Sequence, residues 1–384
     1  MKAKIVKFIK KVLIAIAKKL PLPDVILFES APVYADNTRA VCEEMIRRGL
    51  HKKYRFVWIC PENAKIPRDV EHVTFFVEGK DTWSQIKRRL LNRFAKAFIS
   101  CNAVMPRVSE DQYAICLMHG APLKNVKGHY TIPRELDDVL SFSHYLAPIE
   151  ADIVECDVSK MRVLGFPRND ILFHTQLDTH ALFPHTQFSK LIYWMPTYRQ
   201  HKNGLVDVSD IAMPIIYNEQ IALQINEAAK AANTLVVVKP HFAQDVSRIT
   251  MMNLENLVFI NDTFLADHHV SNYELLGKAD VLLTDYSSVY YDYLLLDRPI
   301  GLCWDDYDVF AAREGFAVDM DTVMAAGEKI YRAEDLCGFI ARLAAGEDTL
   351  ADQRKQVIDL IHDYQDDQAA KRTVDLIQQR LAKL

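Results

Sequence analysis

The sequence predicts an α/β protein with two doubly wound domains that face each other across a cleft. Three observations carry this prediction: short apolar runs alternate with longer amphipathic stretches, the apolar runs are continuous, and the series restarts in the second half. Continuous apolar runs are typical of parallel strands that helices bury on both faces. With 384 residues, of which 50% are hydrophobic, the chain has enough apolar side chains for two such domains.

The apolar runs give the predicted strands in order. In the first half they cover 25–28, 56–60, 73–77, 97–100, 115–118, 145–148 and 161–164, with a helix over about 38–48. In the second half they cover 191–195, 235–239, 257–260, 281–284 and 299–303, with helices over 218–232 and about 287–296. We therefore expect Rossmann-like domains over 23–180 and 181–349, followed by a helical tail over 350–384.

Residues 1–22 predict a basic amphipathic helix. The first 20 positions contain seven lysines and no acidic residue, and Pro21 and Pro23 end the helix. The uninterrupted apolar run over 12–17 is far shorter than the roughly 20 residues that span a bilayer. We expect this helix to lie on an anionic membrane surface, and the alternative is a helix that packs on its own domain. The expected membrane contacts are Lys4, Lys7, Lys10, Lys11, Lys18 and Lys19.

Charge and cysteine content exclude several classes of protein. The net charge is −5, and the seven lysines of the first helix leave −12 on the rest of the chain, which argues against nucleic-acid binding through a generally basic surface. The seven cysteines are dispersed, without a C-x-x-C pair, and are typical of reduced, buried thiols in a cytosolic protein. No P-loop, dinucleotide fingerprint, H-E-x-x-H or G-x-S-x-G motif occurs.

Polar residues follow directly after four of the predicted strands, where α/β sheets bind ligands. The four segments are His119-Gly-Ala-Pro-Leu-Lys124, Pro196-Thr-Tyr-Arg199, Lys239-Pro-His241 and Thr284-Asp-Tyr-Ser-Ser288. Cationic side chains and a helix that opens on two serines suit a phosphorylated ligand. Each segment also has a plain structural explanation: a histidine at a strand end, a surface ion pair, or simple capping of the last helix by Ser287 or Ser288.

Taken in order, these segments resemble the CDP-glycerol glycerophosphotransferase family of teichoic acid and capsule synthesis. The resemblance also includes Gly165-Phe-Pro-Arg-Asn-Asp170, Ala279-Asp-Val-Leu-Leu-Thr-Asp-Tyr-Ser-Ser-Val289, Asp297-Arg-Pro-Ile300 and Arg313-Glu-Gly-Phe316, and it covers about residues 115–320. Two positions depart from the family pattern: Ala121 replaces the usual threonine, and Pro240 precedes His241 where proline commonly follows the histidine. These departures leave the transferred polyol open.

The resemblance implies a GT-B fold, with the nucleotide donor held by the second domain and the acceptor met by the first. It implies transfer of glycerol phosphate or a related polyol phosphate from a CDP-activated donor to a hydroxyl of a lipid-linked saccharide or growing polymer, with release of CMP. The expected catalytic residues are His119, as the general base, and His241. The expected donor-binding residues are Lys124, Arg199, Lys239, Asp285, Ser287, Ser288 and Arg313.

The same resemblance implies a bacterial enzyme held peripherally on the cytoplasmic face of the cell membrane. The sequence requires no cofactor, although a Mg²⁺ ion that bridges the donor phosphates is compatible with it. A homo-oligomer and the choice between a primase and a polymerase stay open. Two alternatives from other classes are a GT-B glycosyltransferase that uses a nucleotide sugar and a catalytically silent scaffold at the membrane surface.

Overall fold

The computed structural model describes residues 24–128, 131–197, 213–240, 246 and 250–384. The chain divides into two compact units. The first contains the described residues of Met1–His119, Tyr130–Arg168 and Gln368–Leu384, and the second those of Gly120–His129 and Asn169–Asp367. Each unit is built on one parallel sheet. The prediction of an α/β fold with parallel sheets is confirmed.

The first unit contains a seven-stranded sheet in the order β3-β2-β1-β4-β5-β6-β7. Its strands are β1 (Val25–Glu29), β2 (Arg55–Pro61), β3 (Val73–Glu78), β4 (Ala95–Ser100), β5 (Tyr113–Cys116), β6 (Asp138–Ser141) and β7 (Met161–Val163). The order reverses between β1 and β4, so a crevice opens at the carboxyl ends of these two strands. Large apolar side chains fill the centre of the sheet, where the rings of Phe28 and Trp58 stack at 5.6 Å.

The helices of this unit are α1 (Asp36–Arg47), α2 (Thr82–Phe94), α3 (Ala147–Ile153) and α14 (Ala369–Leu381). The predicted helix over 38–48 is confirmed, and it begins two residues earlier. The last helix, α14, belongs to the first unit although its sequence follows the second. Two ion pairs attach it: Arg48 contacts Asp375 at 2.6 Å, and Arg380 binds both carboxylate oxygens of Asp138 at 2.8 Å.

The second unit contains a six-stranded sheet in the order β10-β9-β8-β11-β12-β13. Its strands are β8 (Lys190–Trp194), β9 (Thr234–Val238), β10 (Leu257–Phe259), β11 (Val281–Thr284), β12 (Ile300–Cys303) and β13 (Gly327–Ile330). Its helices are α4 (Asp170–His174), α5 (Thr179–Leu182), α6 (Glu219–Ala231), α7 (Asp262–Asp267), α8 (Asn272–Lys278), α9 (Val289–Leu294), α10 (Tyr307–Glu314), α11 (Met320–Val323), α12 (Ala333–Ala344) and α13 (Ala351–Ile361). Here the strand order reverses between β8 and β11.

One predicted strand is wrong and two strands were missed. The segment 145–148 leads into helix α3, and Pro148 lies in the first turn of that helix, where proline is tolerated because its missing N–H needs no partner. The strand in this region is β6, which begins with the charged Asp138 and therefore lacks a continuous apolar run. Strand β13, whose sequence is Gly-Glu-Lys-Ile, was missed for the same reason.

All seven cysteines are free, and five of them are buried, which agrees with the predicted packing of cysteines as small apolar side chains. Among the residues that the structure describes, no helix combines the length and the apolar character needed to cross a bilayer. The predicted helix over 1–22, with its six membrane-contact lysines, lies outside the described residues.

Candidate functional site

His119 lies on a loop that follows strand β5 in the first unit. The side chain of Asn37, which is completely buried at the start of α1, donates hydrogen bonds to the carbonyls of Leu117 at 3.1 Å and Met118 at 2.7 Å. Met118 adopts a left-handed backbone conformation with φ 53°, which ends the strand and turns the chain outward. Asn37 therefore determines where the strand stops and where His119 begins.

Arg168 also binds the loop that carries His119. Its guanidinium donates hydrogen bonds to the carbonyl of His119 and, at 2.8 Å, to the carboxylate of Asp36, while its backbone N–H donates to Asn37 at 3.0 Å. The Arg168 side chain is only 7% exposed, so its charge requires the partner that Asp36 provides. The network joins the start of α1, the loop after β5 and the segment after β7.

The surroundings of His119 favour the neutral form of its imidazole. The residue remains open to solvent at the surface, yet desolvation by the neighbouring protein lowers the pKa of His119, and the nearby Arg168 lowers it further. The Asp36 carboxylate and hydrogen bonding to the Cys101 backbone oppose this change without reversing it. A neutral imidazole is the form that accepts a proton, as a general base must.

In the second unit, residues 120–124, which we call the strap, contact residues that are distant in the sequence. Lys124 pairs with Phe316 in an isolated antiparallel bridge, and Ala317 donates a backbone hydrogen bond to Leu123 at 2.8 Å. Gly315, with φ 67°, makes the turn that permits this pairing. The Lys124 ammonium lies 5.5 Å from the centre of the Phe310 ring. The structure thus joins two of the predicted segments, 119–124 and 313–316.

The same strap packs closely on the start of helix α9. A Cβ atom on Gly120 would lie 2.5 Å from Oγ of Ser288, so the absence of a side chain at position 120 lets the backbone approach this hydroxyl closely. The Tyr291 hydroxyl donates to the carbonyl of Pro122 at 3.2 Å. Lys124, Ser288 and the Arg313–Phe316 turn are therefore parts of one assembly in this unit.

Helix α9 differs from the predicted helix over 287–296. It spans six residues, and Ser288 at its N-cap has α-helical rather than extended dihedrals, φ −64° and ψ −12°. Within the described part of the chain, the Ser288 hydroxyl makes no capping hydrogen bond, because an extended N-cap is what points that hydroxyl at the first turn. The capping explanation for Ser288 is wrong.

Buried carboxylates fix the ends of this helix and of the neighbouring strand. Asp285, directly after β11, accepts the backbone N–H of Thr197 through both oxygens, at 3.0 and 2.9 Å, which attaches the segment after β8. Asp292, inside α9, accepts hydrogen bonds from Asn169 at 2.9 Å and Tyr273 at 2.7 Å. Asn169 follows Arg168, so adjacent residues of one motif anchor in different units.

Two of the remaining predicted donor-binding residues form ion pairs with neighbouring carboxylates. Lys239 forms an ion pair with Asp262 at 2.9 Å, and the exposed Arg313 contacts Glu314 at 3.1 Å. Within the part of the chain that the structure describes, neither the Lys239 ammonium nor the Arg313 guanidinium contacts Ser288. Arg199 and His241 lie outside the described residues.

Sequence reasoning missed an aromatic cluster beside the strap. The rings of Tyr286 and Phe310 stack at 4.1 Å, those of Trp304 and Tyr307 at 4.5 Å, and Phe316 lies 5.6 Å from Tyr307. Asp36, Asn37 and Arg168 were likewise not among the expected site residues. The sequence offered a usable signal for these polar residues, because Asp36 and Asn37 follow strand β1 and Arg168 follows strand β7. Nothing in the sequence indicated that the aromatic rings converge.

The fold and the site define a two-sheet parallel α/β protein whose polar residues gather at the carboxyl ends of its strands. The chain belongs to the family described as CDP-glycerol:poly(glycerophosphate) glycerophosphotransferase, which matches residues 13–379. The expected family is thereby confirmed.

Similar proteins include the teichoic acid poly(glycerol phosphate) polymerase of Staphylococcus epidermidis, with 24% identity over 72% of this chain and 40% of that protein. The teichoic acid glycerol-phosphate primase of Bacillus subtilis is 27% identical over 46% of this chain and 42% of that protein. The matches thus span less than half the length of these relatives. A solved structure of the wall teichoic acid polymerase TagF shares the fold, with a TM-score of 0.74 and 18% identity over 96% of this chain and 91% of that one.

Proposed function

We propose that the chain transfers glycerol phosphate, or a related polyol phosphate, from a CDP-activated donor to a hydroxyl of a lipid-linked saccharide or growing polymer, releasing CMP. One observation carries the proposal: the strap 120–124 bridges to Phe316 and packs on Ser288, so three family segments form one assembly. Family membership and the teichoic acid relatives support the choice of donor and acceptor.

The reaction needs one proton acceptor and several cations. The acceptor oxygen forms a new P–O bond to the phosphorus that carries the polyol, its proton passes to the imidazole of His119, and the phosphoanhydride P–O bond breaks to release CMP. Desolvation by the neighbouring protein lowers the pKa of His119, which favours the neutral imidazole that accepts this proton. Positioning and charge stabilisation supply the rest of the catalysis in phosphoryl transfer.

In this proposal the second unit binds the donor and the first unit carries the base, as the sequence predicts. Lys124, Lys239, Arg199, His241 and Arg313 neutralise the diphosphate, Ser287 and Ser288 donate hydrogen bonds to it, and Asp285 holds the neighbouring loop. Asp285 is completely buried and engages backbone N–H groups, which supports a positioning role.

The decisive experiment offers the purified full chain several donors. CDP-glycerol, CDP-ribitol and nucleotide sugars are incubated with membrane acceptor, and the released nucleotide is identified with and without a chelator. We expect CMP from a CDP-polyol, and persistence of activity under chelation if side chains alone neutralise the donor. Release of UDP or GDP would establish a glycosyltransferase instead, and no release from any donor would favour a scaffold.

Two variants separate the base from the donor site. His119→Ala should reduce turnover by roughly 10²–10⁴-fold while leaving donor affinity nearly unchanged, because a base contributes about that much to the rate. The double variant Ser287→Ala, Ser288→Ala should mainly weaken CDP-glycerol binding by calorimetry. Near-normal turnover in the first variant, or normal affinity in the second, would remove the corresponding assignment.

A further inference from the structure

Glu29 ends strand β1 at the point where the strand order of the first sheet reverses. Its oxygen Oε2 accepts the backbone N–H groups of Asn102 at 3.2 Å and Ala103 at 2.9 Å, both directly beyond strand β4. The Cys101 backbone also hydrogen-bonds with this carboxylate. The backbone that follows strand β4 therefore fixes the orientation of the Glu29 carboxylate.

Asn102 presents the complementary group at the same place. Its oxygen Oδ1 accepts the backbone N–H of Ala31 at 2.9 Å, which fixes the orientation of the amide. Its nitrogen Nδ2 donates to no other residue in the part of the chain that is described, and it too is accessible. A fixed acceptor on Glu29 and a fixed donor on Asn102 match the two hydrogen-bonding capacities of a hydroxyl group.

An aromatic ring lies in the loop that follows strand β1. Tyr34 is partly exposed, and its ring lies 5.0 Å from Trp58, which is completely buried. Both Tyr34, with φ 56°, and Asp36, with φ 59°, adopt left-handed backbone conformations in the short loop between β1 and α1. Such conformations cost free energy in residues other than glycine and concentrate at functional sites.

The base lies next to this pair. The backbone of Cys101, the residue before Asn102, hydrogen-bonds with the His119 side chain, and Leu117 donates to the carbonyl of Ser100 at 2.7 Å. A hydroxyl held by Asn102 is thus one residue along the chain from the group that contacts the imidazole. All of these residues belong to the first unit.

We propose that Glu29 and Asn102 bind the acceptor, with Oε1 accepting and Nδ2 donating a hydrogen bond to the hydroxyl groups at the end of a polyol or saccharide chain. The negative charge of Glu29 disfavours phosphate at this position, so the pair selects the neutral, hydroxylated terminus that is to be extended. The inference rests on the proposed function for the reaction, and on the geometry of Glu29 and Asn102 for the binding.

The test measures acceptor binding directly. Isothermal calorimetry of the full chain uses a synthetic glycerol-phosphate trimer with free terminal hydroxyls and the same trimer with those hydroxyls methylated. Glu29→Gln should weaken binding of the free trimer about tenfold or more, because a hydrogen bond to a charged group is lost, and should leave the methylated trimer unaffected. The affinity for CDP-glycerol should not change.

A second variant and a control keep the result unambiguous. Asn102→Asp retains the oxygen that accepts the Ala31 N–H and removes only the donor, so it should also weaken binding of the free trimer. Glu71→Gln, at a side chain that is 89% exposed, should bind like the wild type.

Equal affinities of wild type and both site variants, or no binding of the free trimer by the wild type, would overturn the inference. Wild-type protein that binds the free trimer through Glu29 but releases CMP from no CDP-polyol would contradict the proposed function and leave this binding site in place. Unchanged trimer affinity in Glu29→Gln, together with normal CMP release by the wild type, would contradict the binding site alone.

Discussion

At the scale of single residues, the protein controls one imidazole with two opposing charges. Desolvation and the Arg168 guanidinium lower the pKa of His119, and the Asp36 carboxylate raises it. Asp36 also pairs with Arg168 at 2.8 Å, so the Asp36 carboxylate partly neutralises the cation that lowers the pKa of His119. The protonation state of His119 therefore depends on a residue at the start of α1 that need not touch the substrate.

Asp36→Asn tests this dependence. The substitution removes the negative charge and leaves Arg168 unneutralised, so both changes should lower the pKa of His119 further below its ordinary 6.5. A base is inactive when protonated, so the acid limb of the kcat/KM profile should move to lower pH. Asparagine tolerates the left-handed backbone of position 36, which preserves the loop.

The matched control is Glu43→Gln, in the same helix at a side chain that is 47% exposed. It should leave the pH profile of the wild type in place. An acid limb that stays fixed, or that moves to higher pH, in Asp36→Asn would show that the Asp36 charge does not act on His119.

At the scale of single elements, helix α3 contains a buried carboxyl group. Glu150 is completely buried, and neither carboxyl oxygen has a hydrogen-bond partner at bonding distance within the described residues. Desolvation raises the pKa of Glu150 to about 8, and the nearby Ser141 hydroxyl offsets only part of this rise. The folded protein therefore holds a proton on Glu150 under conditions in which the unfolded chain releases it.

This difference predicts how stability depends on pH. Between the ordinary pKa of 4.5 and the raised value of about 8, the folded state binds one more proton than the unfolded state, so the contribution of Glu150 to stability is present below pH 4.5 and is lost as the pH rises towards 8. Glu150→Gln removes this loss. The stability of the variant relative to wild type should thus increase from pH 5 to pH 8, with a limiting slope of about 1.4 kcal/mol per pH unit.

Urea unfolding across that pH range measures the slope. Glu135→Gln, at an exposed side chain in the same unit, should give a difference from wild type that does not vary with pH. A pH-independent difference for Glu150→Gln would mean that the carboxyl group ionises normally in the folded state.

At the scale of the whole molecule, the positive charge is concentrated at the start of the sequence, and the rest of the chain is acidic. Seven lysines lie in the first 20 residues and the rest of the chain carries −12. An acidic body repels an anionic membrane, so the attraction must come from the basic segment. We propose that this segment holds the enzyme beside a lipid-linked acceptor.

Vesicle sedimentation tests the membrane proposal. Replacing Lys4, Lys7, Lys10 and Lys11 together with glutamine should weaken binding to vesicles that contain phosphatidylglycerol by about 100-fold or more at low salt, because each lysine contributes about 1 kcal/mol. Pure phosphatidylcholine vesicles should bind both proteins weakly. The control variant replaces four other exposed lysines with glutamine, at Lys52, Lys53, Lys65 and Lys80, and should bind the vesicles like the wild type. If its binding weakened as much as that of the first variant, the basic segment would not be the specific membrane contact.

Much of the fold follows from local patterns. Strand β1, strand β9 and helix α6 are close to their predicted bounds, because a buried parallel strand reads as a continuous apolar run and a capped amphipathic helix has a regular period. Strand β6 did not follow from its pattern. Its first residue, Asp138, is buried, and its charge is neutralised by Arg162 at 2.7 Å and by Arg380, which lies 242 residues later, at 2.8 Å.

For the candidate site as well, part could be predicted from the sequence and part required the tertiary structure. The sequence by itself determined the family segments and the position of His119 after a buried strand, since both depend on residues that are neighbours along the chain. Only the tertiary structure decided that Lys124 pairs with Phe316, that Ser288 caps nothing while Gly120 packs against it, and that Glu29 and Asn102 present one acceptor and one donor. These are contacts between residues that are distant in sequence, and a local pattern carries no information about which distant partner burial will bring to it.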